Sequence, residues 1–248
     1  MFIKNLSSTK KNLKKITFSV ASQMEPPHIY RNGRRYDLSC NIPKDVDLEE
    51  KLTKFNREEL QKNGRLTFEK YHLPTDYFPI FSWGENGRLL GMHISEGGRW
   101  IDSSKYAYHF HNIDYSDDAL AGTEILIGEY LNKLGLDFPF IKKEKENFYF
   151  EFKLTKDRDR VVRKARQVNQ EAFKSFTKDV FESFQFKGES PSIEWSKSGE
   201  LYVIKLKEDS GLIELKEDSY QGRKISNSIQ AMAAFKTLIK YLDYVLQD

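Results

Sequence analysis

His109-Phe110-His111, followed by Asp114, Asp117 and Asp118, is the residue group whose types and spacing best suit chemistry. In a strand, alternate residues share a face, so both imidazoles could meet one divalent ion. Asp114 could complete a three-ligand site with an open position for water, the arrangement of a metal-dependent hydrolase or nuclease. His28, His72 and His93 add no supporting spacing. Imidazoles on a half-exposed strand need no metal, so the expectation is no metal and no other cofactor. The hydrolase remains the alternative.

Nucleophilic and phosphate chemistry leave weaker traces. Cys40 is the only cysteine, which rules out an intrachain disulfide and any CxxC metal pair. There is no G-x-S-x-G elbow, no G-x-x-x-x-G-K-[ST] loop and no G-x-G-x-x-G opening a helix. Adjacent acids such as Glu49-Glu50, Glu58-Glu59 and Asp117-Asp118 read as helix-terminus charges. Whether the chain is an enzyme is left open, with the weight against it.

Charge is uneven. Net charge is only +3, yet residues 1–36 hold eight Lys/Arg against the single acid Glu25, and residues 37–140 hold 11 bases and 18 acids. A basic arm, Lys4–Lys15, and a basic segment, Lys156–Lys178, are the two possible nucleic-acid footprints. The second starts with alternating signs, Asp157-Arg158-Asp159-Arg160, which favours a solvated or internally paired face. Nucleic acid is therefore not the expected partner. No secretory signal and no run long enough to span a bilayer is visible, so a soluble cytoplasmic protein is expected. Oligomeric state is not legible.

These residues must be held by a fold, and 39% hydrophobic content with 18 Phe and 13 Tyr supplies a core. Residues 16–22 suit a strand, and Tyr30–Tyr36 a hairpin about Asn32-Gly33. Asp47 with Glu50 suggests a capped helix ending at Asn63-Gly64, and Leu66–Tyr71 a strand. Apolar runs on both sides of Gly84-Glu85-Asn86-Gly87 predict a hairpin. Strands are expected at Arg99–Ile101 and Tyr106–Ile113. A helix follows over Asp118–Leu134, closed by Gly135 and Leu136. The charge run after Phe138 suggests a boundary, giving units at 1–140 and 141–248. The second unit reads as strand Phe148–Leu154, one long helix Asp157–Phe184, a hairpin about Ser198-Gly199, strand Leu212–Leu215 and helix Ile225–Leu246. Strands arriving in hairpins argue α+β with mainly antiparallel sheets in two subdomains. The halves share this rhythm without a visible residue-level repeat.

LPTDY followed by PIFSWGENGRLLGMHI, residues 73–94, resembles the SUKH superfamily of bacterial immunity proteins. The likeness extends over about residues 70–134. Glu85 or Asn86 stands where that family places an aspartate. The resemblance implies no catalytic residues. It implies a binding protein that neutralises a toxin domain by occlusion. An acidic surface suits a basic toxin, since a nuclease must be cationic to hold phosphate. Asp102, Asp114, Asp117 and Asp118 are the candidate contacts, chosen by charge and nearness to the glycine-rich hairpin. Trp100 and Tyr106 are the candidate aromatic anchors.

Overall fold

The computed structural model describes residues 28–42, 50, 53–73, 78–95, 98–131, 140–154, 158–186, 190–206 and 211–246. The basic arm, the strand expected at 16–22, the start of the Asp47 helix, most of the LPTDY stretch and the Gly135 helix end lie outside them.

The first half begins with the hairpin β1 (His28–Asn32) and β2 (Arg35–Asn41), reversed at Gly33 with φ +63°. Helix α1 (Arg57–Lys70) follows, then β3 (Ile80–Trp83), β4 (Leu89–Ser95), β5 (Gly98–Ser103) and β6 (Ala107–Ile113). Helix α2 (Ser116–Thr123) runs directly into a π-helical segment, Glu124–Leu131. The second half repeats this order with β7 (Ile141–Glu144), β8 (Asn147–Lys153), α3 (Arg158–Ala165), α4 (Gln170–Ser183), β9 (Ser192–Trp195), β10 (Leu201–Lys205), β11 (Gly211–Lys216), β12 (Ser219–Ile225) and α5 (Ser228–Leu246).

Among the described residues each half forms a six-stranded sheet in which every pairing is antiparallel. The orders are β1-β2-β6-β5-β4-β3 and β7-β8-β12-β11-β10-β9, the same path traced twice. This is the expected α+β class. The inward residues of both sheets and the buried faces of the helices join one apolar core, from Leu38, Tyr108 and Phe110 through Leu126 and Tyr130 to Phe181, Phe235 and Tyr241. The two subdomains thus share an interior.

Several expectations need correction. Asn63-Gly64 does not end a helix: α1 runs through it and absorbs the strand expected at Leu66–Tyr71. Gly64 is there for packing, because a Cβ would lie 2.9 Å from the Phe81 ring. The N-cap is Asn56, whose side chain accepts from the Glu59 N–H at 3.1 Å. The helix expected over 118–134 begins earlier, at Ser116, and changes to π geometry at Glu124. Of the charged run Lys142–Glu146, the first three residues end β7, and Lys145-Glu146 make the turn into β8, with Lys145 at φ +55°. The single long helix at 157–184 is two helices. A side-chain cap from Asn169 to the Ala172 N–H at 3.0 Å restarts the chain as α4 after the break. Strand β12 was missed, and Ile225 belongs to it instead of the final helix. Among the described residues no helix is long and apolar enough to cross a membrane.

Candidate functional site

Helix α1 ends with Phe68 buried and stacked on Trp100, ring centroids 5.1 Å apart. Its C-cap, Tyr71, donates to the Ile141 carbonyl at 3.2 Å and so ties the first half to β7. Beyond it the chain turns at His72, φ +55°, and Leu73 N–H returns to the Phe68 carbonyl at 3.0 Å. These groups form one wall of a cleft of about 370 Å³. Ile94 of β4 and Lys143 of β7 close two further sides, and Tyr115, Asp117 and Asp118 at the start of α2 form the last.

The acids lie in the first turn of α2, where the helix dipole favours negative charge. Tyr115, the N-cap, gives no side-chain cap, and its ring is 71% exposed at the cleft mouth. Asp118 titrates high, at about 6, because burial disfavours its charge and the Asp117 and Asp114 carboxylates add repulsion. Asp117 Oδ1 is buried with no hydrogen-bond partner. The Asp117 charge also helps raise the Tyr36 and Tyr71 phenols, for which burial is the main cause. Asp114 lies outside the cleft and faces Arg35 at 3.5 Å, both side chains exposed. Behind the site Lys70 Nζ meets Glu124 Oε1 at 2.7 Å.

The structure gathers some expected site residues and scatters others. Asp117 and Asp118 line the cleft, with Asp114 close enough to act on Asp118. Asp102 stands on the outer face of the first sheet, directly across from His109. Tyr106 precedes β6 with Lys105 Nζ 5.2 Å from its ring centre. Trp100 cannot serve as a surface anchor, since it is 4% exposed and belongs to the core. The cleft residues not foreseen are Phe68, Tyr71, His72, Leu73, Ile94, Tyr115 and Lys143. Tyr115 was within reach, as an aromatic beside an acidic helix start. Lys143 comes from 25 residues beyond Asp118 and is placed only by the tertiary fold.

The metal alternative gains half of its geometry. His109 and His111 share the outer face, rings 6.0 Å apart and 25° from parallel. His109 Nδ1 lies 3.3 Å from Ser39 Oγ. Among the described residues no group of three His, Cys, Asp or Glu is placed to hold a metal ion. The proposed third ligand, Asp114, points to Arg35 instead. Cys40 is fully buried, which pushes its thiol far above the usual range. The basic segment is engaged internally: Arg158 reaches Asp218 at 2.7 Å, Arg166 Nε donates to the Ser198 carbonyl at 2.9 Å, and Lys174 meets Glu171 at 2.8 Å.

The cleft therefore combines an apolar floor, aromatic edges, two crowded carboxylates and, from β7, the Lys143 side chain. An aliphatic stem would lie on Leu73 and Ile94, and a cationic head would meet Asp117 and Asp118. No protein-family model, no curated protein and no solved structure matches this chain.

Proposed function

We propose that the protein is a non-enzymatic protein-binding module that draws a lysine or arginine side chain of its partner into the Asp117–Asp118 cleft. The observation that carries this reading is the Asp117 carboxylate oxygen, buried and without a hydrogen-bond partner in a cleft whose other carboxylate is already hard to ionise. A buried unpaired acceptor costs about 1–3 kcal/mol, more when charged, and a partner's cation in the cleft would offset part of that by stabilising the carboxylate charge. Charge pairs that lose water at an interface can carry much of its binding energy, where exposed ones contribute little. The SUKH resemblance adds the partner class, a basic toxin domain neutralised by occlusion.

The test is affinity capture from the native host with wild-type protein and an Asp117→Asn/Asp118→Asn variant as baits. The reading expects a basic protein held by the first bait and lost from the second. Equal recovery on both baits would remove the cleft from the interface. Turnover of a substrate by the pure protein, with no partner recovered, would overturn the module reading.

A further inference from the structure

The two halves correspond residue by residue. A displacement of 112 positions takes Trp83, Gly87 and Leu89 to Trp195, Gly199 and Leu201, and takes Tyr108 and Ser116 to Tyr220 and Ser228. Gly87 and Gly199 share a left-handed backbone, φ +83° and +87°. Both sheets slip register at the same step, between Ser82 and Trp83 and again between Leu201 and Val203, just past the Leu201–Trp195 pair that corresponds to Leu89–Trp83. The Leu89 N–H is accepted by Tyr130 Oη at 3.2 Å and the Leu201 N–H by Tyr241 Oη at 2.9 Å. That last pair is displaced by 111, since the π-helical segment of the first half contains one extra residue.

Contacts between the halves are reciprocal. The helices Arg57–Lys70 and Gln170–Ser183 are displaced by 113, so their C-caps Tyr71 and Phe184 correspond. Tyr36 stacks on Phe184 at 5.6 Å, and Phe148, the counterpart of Tyr36, meets Tyr71 at 6.1 Å. Arg31 lies over the Tyr36 ring at 5.9 Å, and its counterpart Lys143 over Phe148 at 5.5 Å. Ser116 Oγ touches its own counterpart, Ser228 Oγ, at 3.0 Å, which marks the axis. An isologous interface has these properties.

We infer that the chain is a tandem duplication folded as an internal dimer about a pseudo-twofold axis, and that positions where the copies diverge beside that axis set what it recognises. The second clause rests on the cleft reading. Where the first copy has Asp117 and Asp118, the second has Ile229 and Gln230, and Leu73, which follows the helix displaced by 113, corresponds to Phe186. Phe186 packs on Phe181 at 5.9 Å and Ile229 packs against the core, so apolar groups occupy the place that is acidic in the first copy. One cationic group is bound per chain.

Calorimetric titration of the full chain with a capped lysine-rich decapeptide tests the recognition clause. Wild type binds one peptide, Asp117→Ile/Asp118→Gln loses at least tenfold in affinity, and Phe186→Leu/Ile229→Asp/Gln230→Asp binds two. A well-folded triple variant that still binds one overturns the clause while leaving the cleft reading standing. No binding by wild type overturns the cleft reading and the clause together. The duplication itself is read by Tm. Grafting the second copy's core into the first, as Leu38→Phe with Phe110→Gly and Gly122→Ala, should melt higher than Phe110→Gly alone, because Phe150, Gly222 and Ala234 already pack this way. A triple graft that melts below that single variant overturns the equivalence.

Discussion

Tyr130 and Tyr241 perform the same task in two places: each phenol oxygen accepts the first backbone N–H of a strand that follows a turn with a left-handed glycine, Leu89 in one half and Leu201 in the other. Both are buried, so neither N–H has water as a substitute. Tyr130→Phe and Tyr241→Phe should each cost about 1–3 kcal/mol by stranding that donor. Urea unfolding of the two variants checks this, and a loss at only one site would break the parallel.

Asp118 makes stability depend on pH. Its folded value, about 6, lies above that of a free carboxylate, so the folded chain holds the proton more tightly than the unfolded one. The stabilisation is complete below about pH 4 and is lost as pH rises through 6. Since the group is partly solvated, about 1–2 kcal/mol is expected. Asp118→Asn should flatten this dependence between pH 4.5 and 7.5 in urea titrations and stabilise the protein at the upper end. Cation binding should run the opposite way, tightening through pH 6 as the carboxylate ionises.

Gly222 faces Phe150 so closely that an added Cβ would lie 2.1 Å from a ring carbon. Gly222→Ala should cost about 1–3 kcal/mol or more, as overpacked cores do. Phe150→Leu in the same chain should restore part of it, since the first half fills this place with Leu38 beside Phe110. A thermal melt of the single and double variants decides the point.

The Cys40 thiol should resist alkylation. It is wholly buried and burial raises its pKa, so little thiolate forms and none is accessible. Mass spectrometry after iodoacetamide should find it unmodified in native buffer and fully modified in urea. Rapid labelling of the native chain would contradict the packing around β2.

The sheets were legible because alternation is a local signal: Phe148–Leu154, the Gly84–Gly87 turn and the Ser198-Gly199 turn all formed as their spacing implied. Helix limits were less so. Gly64 looks like a stop signal but is a contact with Phe81, and the break before α4 depends on the single cap Asn169. β12 was hidden because Ser219–Ile225 mixes Gln, Gly, Arg and Lys into a strand whose burial does not alternate: Ser219, Tyr220, Gly222 and Ile225 are buried and Arg223 and Lys224 exposed. Half of the site was readable as the acidic start of α2. The rest was not, since Tyr71, His72 and Lys143 reach the cleft only when β7 docks against the first half. The repeat itself was present in the Trp, Gly, Leu and Tyr spacing, diluted by copies that swap Arg88 for Glu200 and Leu38 for Phe150.

The pseudo-axis through Ser116 and Ser228 also says where the chain could be opened. Leu131 and Leu242 are counterparts, as are Phe140 and His28. The gap between Leu131 and Phe140 is crossed by residues 132–139. Symmetry makes the gap between Leu242 and His28 the same, so a linker of similar length from Leu242 to His28, in place of the present ends, would reach. A circular permutant beginning at residue 140, passing through that linker to residue 28 and ending at residue 139, would then thread the same two sheets in the opposite sequence.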